Sequence, residues 1–239
     1  MRPLHEIGPL FPFEWEDIET GERESYEVSF VGADVSVNVT LNRELKEENI
    51  GRYRNTSLEV ARTALDVVCF LEGAGLTLYL DRYMSPDGKE ELLVPGDPRL
   101  QSLISLMNIN MPIMCSLLAA DHQLSRPLSD LVNAITWPHA APINCARAIE
   151  GLRRHNNPQE GKDDRGKSWG LLQEALNISK PYREFVTDLS TNPRHGDSSF
   201  TPPDSQEEAI LRSWTIMDRY FQYLLRGKKP LADFGLPLL

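Results

Sequence analysis

Paired cysteines are missing from this sequence. Cys69, Cys115 and Cys145 are odd in number, far apart and each set among apolar neighbours. They read as small buried hydrophobes of a reducing compartment rather than a disulfide framework. The closely spaced pairs that bind zinc are absent too. No apolar run approaches the roughly 20 residues that cross a bilayer. The opening stretch, MRPLHEIGPLFPFEWEDIE, is broken by prolines and turns acidic, without the apolar core and cleavage site of a secretion signal. A cytoplasmic chain with no membrane contact is therefore expected, and the Asn-X-Ser/Thr triplets at Asn38, Asn55 and Asn177 read as chance matches. No internal repeat or low-complexity segment occurs. The acidic cluster Glu14, Glu16, Asp17, Glu19, Glu22 and Glu24 lacks the order of a calcium loop and reads as a solvated edge. No metal or nucleotide cofactor is expected.

Positive charge is scarce in the first part of the chain. Residues 1–140 hold 11 Lys/Arg against 22 Asp/Glu, a net of −11, whereas residues 141–239 hold 14 against 13, a net of +1. An acidic surface repels phosphate backbones. Any contact with nucleic acid is thus expected from the C-terminal part.

The patterning predicts an α+β fold in two parts, an acidic module over 1–97 and a helical bundle over 98–239. Tyr26–Val31 and Asp34–Leu41 alternate apolar with polar residues around Gly-Ala-Asp, the signature of a hairpin. Val35, Val37 and Val39 share one face; Ser36, Asn38 and Thr40 share the other. A helix is predicted from about Ser57 to Glu72, with Thr56 and Glu59 as capping box, an apolar stripe of Ala61, Ala64, Leu65 and Val68, and Gly73 as stop. Leu76–Tyr83 and Glu90–Val94 flank Ser-Pro-Asp-Gly-Lys and predict a second hairpin.

Beyond Pro98 the pattern is helical. RLQSLISLM, NINMPIMCSLLAAD and PLSDLVNAITW each predict a helix. A further helix covers about Pro142–His155, with Cys145, Ile149 and Leu152 inward and Glu150 paired with Arg154. Arg153, Arg154 and His155 suit its C-terminal dipole. A polar loop, NNPQEGKDDRGK, leads to a helix at Ser168–Asn177 that carries Trp169, Leu172 and Leu176. Another follows at Lys180–Thr191, with Ser179 as N-cap and Pro181 in its first turn. The clearest element runs from about Ser205 to Arg226, roughly 33 Å long. Its cap is Asp204 with Glu207, or Ser205 with Glu208, and its stop is Gly227. Its stripe of Ile210, Trp214, Met217, Phe221 and Leu224 needs several partner helices, which implies a bundle.

The chemistry-bearing stretch is STNPRHGDSSF, Ser190–Phe200. The preceding helix predicts Tyr182, Phe185, Val186 and Leu189 inward and Arg183, Thr187 and Ser190 on the other face. Pro193 then bends the chain, and Arg194, His195 and Gly196 follow at the bend. A histidine beside a cation at a helix end, with hydroxyls nearby, suits phosphate handling. A polar surface loop between helices is the plainer reading of the same residues. Arg-His-Gly is also the phosphate-accepting triplet of the histidine phosphatases, but there it ends an apolar strand near the N-terminus.

The region from about Pro142 to Gly227 resembles the HEPN superfamily of helical bundles. There a Leu-Arg-Asn-X-X-X-His-Gly motif precedes the final long helix, and LSTNPRHG (Leu189–Gly196) stands at the matching place. His195 and Gly196 match. The family's arginine position is Ser190 here, and its polar neighbour is Thr191; the nearest arginines are Arg194 and Arg183. The resemblance implies a metal-independent RNA-cleaving or RNA-binding homodimer, formed through the bundle, in which two copies of the motif meet. It implies His195 and Arg194 as catalytic residues and Arg183, Ser190, Asn192 and Gly196 as substrate contacts. Some members are non-catalytic interaction modules, and others serve bacterial defence. The N-terminal module is left as a binder of an unidentified protein or ligand.

Overall fold

The computed structural model describes residues 7–16, 20–46, 49–80, 82–92, 98–104, 111–159, 161, 164–195 and 201–239. The chain divides into two compact units, 1–94 and 95–239. The first is α+β, and the second holds helices and no strand among its described residues.

In the first unit, β1 (Ile7–Glu16), β2 (Arg23–Val31) and β3 (Asp34–Leu41) form an antiparallel sheet with β2 in the middle. The β2–β3 hairpin is the predicted one. Val31 pairs with Asp34 across Gly32-Ala33, and the turn needs Gly32 at φ +64°. The alternation of β2 turns Tyr26, Val28 and Phe30 inward, each at most 2% exposed. β1 had no strand signal because Pro9 and Pro12 interrupt it. As an edge strand it tolerates them, and its two register shifts span those prolines.

Glu24 is not part of a solvated acidic edge. It lies on the inward face of β2, 3% exposed. Its carboxylate accepts from Arg43 at 2.6 Å, Arg52 at 2.8 Å and the Tyr26 hydroxyl at 2.8 Å. A buried carboxylate survives only with such partners. Burial, with the Glu24 carboxylate alongside, pushes the Tyr26 phenol well up.

Helix α1 (Ile50–Glu72) begins a full turn and more before the predicted start. Tyr53 is buried, and its hydroxyl accepts from Arg43 Nε at 3.2 Å. That anchor draws the stretch before Ser57 into the helix, so Thr56 lies inside it and Asn49 holds the cap position without a side-chain bond. Gly73, at φ +62°, ends it as predicted. Ala61, Ala64 and Leu65 pack with the inward residues of β2. In the second hairpin β4 covers Arg82–Met84 and β5 Glu90–Leu92; residues 76–80 are not strand, and 81, 93 and 94 lie outside the described residues. Leu76 and Leu78 pack against the apolar cluster rather than extending the strand.

The second unit comprises α2 (Pro98–Leu103), α3 (Met111–Ala120), α4 (Ser125–Thr136), α5 (Ala141–Asn156), α6 (Arg165–Leu176), α7 (Lys180–Leu189), α8 (Thr191–Arg194) and α9 (Pro203–Leu225). Helix α5 packs against α4, α6, α7 and α9. Its predicted inward residues Cys145, Ile149 and Leu152 are at most 1% exposed. Burial pushes the Cys145 thiol up to about 12, so it acts as a hydrophobe. Gly151 lets α4 approach closely: a Cβ there would stand 2.6 Å from Pro127 Cγ. Helix α9 starts at Pro203 with Pro202 as N-cap and no side-chain cap bond. Neither predicted capping box forms, because proline is itself well suited to a first helical turn. Its stripe holds: Met217 and Phe221 are buried, and Ile210, Trp214 and Leu224 pack on the core. Arg219 is 5% exposed and ties the α6–α7 junction to the tail, donating to the carbonyls of Leu176, Asn177 and Pro237. Among the described residues no helix is long and apolar enough to cross a membrane.

Candidate functional site

Helix α7 starts where its sequence says it should. Ser179 Oγ accepts from the Tyr182 amide at 3.3 Å, with Pro181 in the first turn. The bend after it comes at Ser190, not Pro193. Ser190 is fully buried and gives its hydroxyl proton to the Thr187 carbonyl at 2.7 Å. The chain re-enters helix at once as α8, where Pro193 sits in the first turn and costs no hydrogen bond.

Helix α8 packs against α5 and carries Arg194 to it. There Arg194 Nη1 donates to Glu150 Oε1 at 2.9 Å, and Arg165 Nη2 donates to the same oxygen at 3.0 Å. Glu150 was expected to pair along the helix with Arg154; its Oε1 is instead shared by two arginines from other elements. These groups edge a cavity of about 440 Å³, lined by Glu150, Arg153 and Arg154 of α5, Pro158 and Gly161 of the following connection, Arg165 of α6 and Arg194 of α8. Among the described residues its lining thus includes four arginines and one glutamate.

Arg183 lies elsewhere. It was expected on the outward side of α7, yet it is 7% exposed. Its guanidinium sits over the Trp169 ring, 4.6 Å from the centroid, and donates to Thr187 Oγ1 at 3.3 Å and Glu184 Oε1 at 3.1 Å. Arg153, 3% exposed, lies over the same ring at 4.8 Å. An indole face stabilises a desolvated cation, which explains why both arginines tolerate burial. Asn192 and His195 are exposed on α8 and at its end. Arg194 is on the cavity wall and His195 is not among its lining residues. Gly196 lies outside the described residues.

The third member of Arg153-Arg154-His155 does more than suit a helix dipole. His155 Nδ1 meets the Tyr220 hydroxyl at 2.5 Å, and Nε2 meets Asp121 Oδ2 at 2.5 Å. Burial pushes the Tyr220 phenol up. The hydrogen bond to His155 is the main cause of a depressed Asp121 carboxyl. A chain of donors, Tyr220 O–H to Nδ1 and Nε2–H to Asp121, satisfies all three groups. Tyr220 is 1% exposed, so the network clasps α9 and the 121 turn to α5 rather than meeting a substrate.

A depressed carboxyl contributes stability above its unfolded value, near about 4, that is lost as pH falls through the lower folded value. Asp121→Asn should therefore be less stable than wild type at neutral pH. The gap should close progressively below about pH 4. Urea midpoints of both proteins along a pH series measure this; a gap constant down to pH 2 contradicts it.

Residues 110–225 match the model of a family described as Domain of unknown function (DUF8168) C-terminal domain. All residues of the arginine-lined cavity fall inside that match. No curated protein and no solved structure matches the chain.

Proposed function

We propose that the helical unit binds RNA through its phosphates, as a HEPN-like bundle that pairs with a second copy of itself. One observation carries this reading: Arg194, the cation of the motif-bearing stretch, converges with Arg153, Arg154 and Arg165 on one cavity. Phosphate contacts by arginine forks supply most of the sequence-independent affinity for nucleic acid. The acidic N-terminal unit then serves a partner other than nucleic acid, and a cytoplasmic location accords with an RNA ligand.

Binding is favoured over cleavage by the placement of the imidazole. Transesterification at a ribose 2′-OH needs a base and an acid close to the cationic site, and a two-fold pair of His195 side chains would have to supply them. His195 stands off the cavity wall, and Arg194 is engaged by Glu150. We therefore expect purified wild type and His195→Ala to bind mixed RNA equally, within about twofold, and to leave it intact. Electrophoresis of RNA after incubation with each protein decides the matter. Cleavage that disappears in His195→Ala moves the assignment to a ribonuclease; absence of binding by both removes RNA as the ligand.

A further inference from the structure

We propose that the free edge of β3 pairs antiparallel with β3 of a second copy of this chain, joining two three-stranded sheets into one. The pairing concerns the first unit alone and stands whether or not the helical unit binds RNA.

The sheet has two edges, and they differ. β1 carries Pro9, Pro12 and two register shifts, devices that keep an edge from recruiting another strand. β3 carries none of them: Asp34–Leu41 holds no proline, glycine or lysine and pairs with β2 without a shift. Among the described residues no strand lies on its other side. The two-residue turn makes Val31 and Asp34 a hydrogen-bonded pair, and the ladder alternates from there. The backbone N–H and C=O groups of Val35, Val37, Val39 and Leu41 therefore point away from β2. Their side chains join the apolar cluster with α1 but are only partly buried. Tyr26, Val28 and Phe30 of β2, on the same face, are at most 2% exposed. The apolar layer is complete at the centre of the sheet and unfinished at this edge.

A second copy fits this edge because β3 is complementary to itself. In an antiparallel ladder outward backbone groups must oppose outward ones, so Val35, Val37, Val39 and Leu41 have to meet one another across the joint. Placing Asn38 on the two-fold axis pairs all of them; an axis at Val37 or Val39 leaves Leu41 or Val35 without a strand residue opposite. Val37 then lies opposite Val39 of the second copy, and Val35 opposite its Leu41, which continues the apolar layer. On the other face Ser36 lies opposite Thr40 of the second copy, an uncharged pair able to share a hydrogen bond. The joint holds about eight main-chain hydrogen bonds. Charge agrees with this choice. Residues 1–140 hold 22 Asp/Glu against 11 Lys/Arg, yet Asp34 is the only charged residue of β3. In this register it faces Asn42 of the second copy, so two acidic units meet along an uncharged strip.

The test uses the full chain, with sedimentation for association and non-reducing electrophoresis for cross-linking. Cys115 is exposed, so the cysteine variants are made in a Cys115→Ser background, which serves as the blank. Asn38→Cys should form a disulfide-linked dimer under mild oxidation. The Cα atoms of a non-hydrogen-bonded antiparallel pair lie about 4.5 Å apart, within disulfide reach. Ser36→Cys, roughly 13 Å or more from its own counterpart, should link about tenfold more slowly. Asn38→Lys sets two like charges face to face on the axis and should weaken association about fivefold or more. Asn38 and Ser36 are both exposed, so each copy keeps its fold, which circular dichroism checks. Selective linkage at position 38 together with weakened association of Asn38→Lys supports the pairing. Equal or absent linkage of the two cysteine variants overturns it, as does a monomeric wild type. Association unchanged in Asn38→Lys also overturns it and assigns the dimer to another face.

Discussion

Trp169→Ala is expected to cost about 3–5 kcal/mol of unfolding free energy, the usual range for removing a buried large aromatic. Trp169 is 7% exposed and belongs to the main apolar cluster of the helical unit, with Leu172 and Leu176 from its own helix. Its loss also strips Arg153 and Arg183 of the ring over which each lies. Both guanidiniums are more than nine-tenths buried, and a desolvated cation without its aromatic partner is a further cost. Trp169→Phe retains a ring face and should recover more than half of the loss. Urea unfolding of the three proteins is the measurement. A Trp169→Ala midpoint close to that of wild type would mean that the indole does not hold this corner of the bundle.

The second large effect is on ligand binding. Arg165→Gln/Arg194→Gln leaves Glu150 in place and takes two positive charges from the cavity wall. Binding of a 5′-phosphorylated oligoribonucleotide should weaken by about 30- to 100-fold at moderate salt. Stability should barely change. Arg165 is well exposed and Arg194 partly so, and exposed ion pairs contribute about 0–1 kcal/mol each. Fluorescence anisotropy for affinity and thermal melting for stability separate the two outcomes. A large fall in melting temperature would mark Glu150 and its arginines as a structural tie rather than a ligand site.

The fold was legible where local physics and tertiary packing agree. The valine alternation of β3, the Gly73 and Gly227 stops, the Ser179 cap and the stripe of α9 all appear in the structure as the sequence implies. Departures came where a distant partner decides. Tyr53 extends α1 because Arg43 reaches its hydroxyl. Glu24 is buried because arginines from outside its strand converge on it. The proline-interrupted β1 forms because an edge position spares it half of its hydrogen bonds.

The candidate site was less legible for the same reason. A helical wheel of α7 placed Arg183 and Ser190 on a polar face, but polarity does not fix exposure. The Trp169 ring lets the first go inward, and the Thr187 carbonyl satisfies the second. Arg194 was singled out by its neighbours in the chain. Its cavity partners Glu150 and Arg165 are separated from it in sequence and meet only because α5, α6 and α8 pack together. The one local cue was basic residues on both flanks of the 157–164 connection, with Arg153 and Arg154 before it and Arg165 after. That is a charge pattern without a motif.

The most direct test of the arginine cavity as a phosphate site is the salt dependence of RNA binding. For wild type and a 5′-phosphorylated single strand, the logarithm of affinity should fall against the logarithm of salt with a slope of about −2 or steeper, as expected for three or more phosphate contacts. In Arg165→Gln/Arg194→Gln the slope should be shallower by about 1.4, the share of two contacts. Identical slopes for the two proteins would show that the phosphates are held somewhere else.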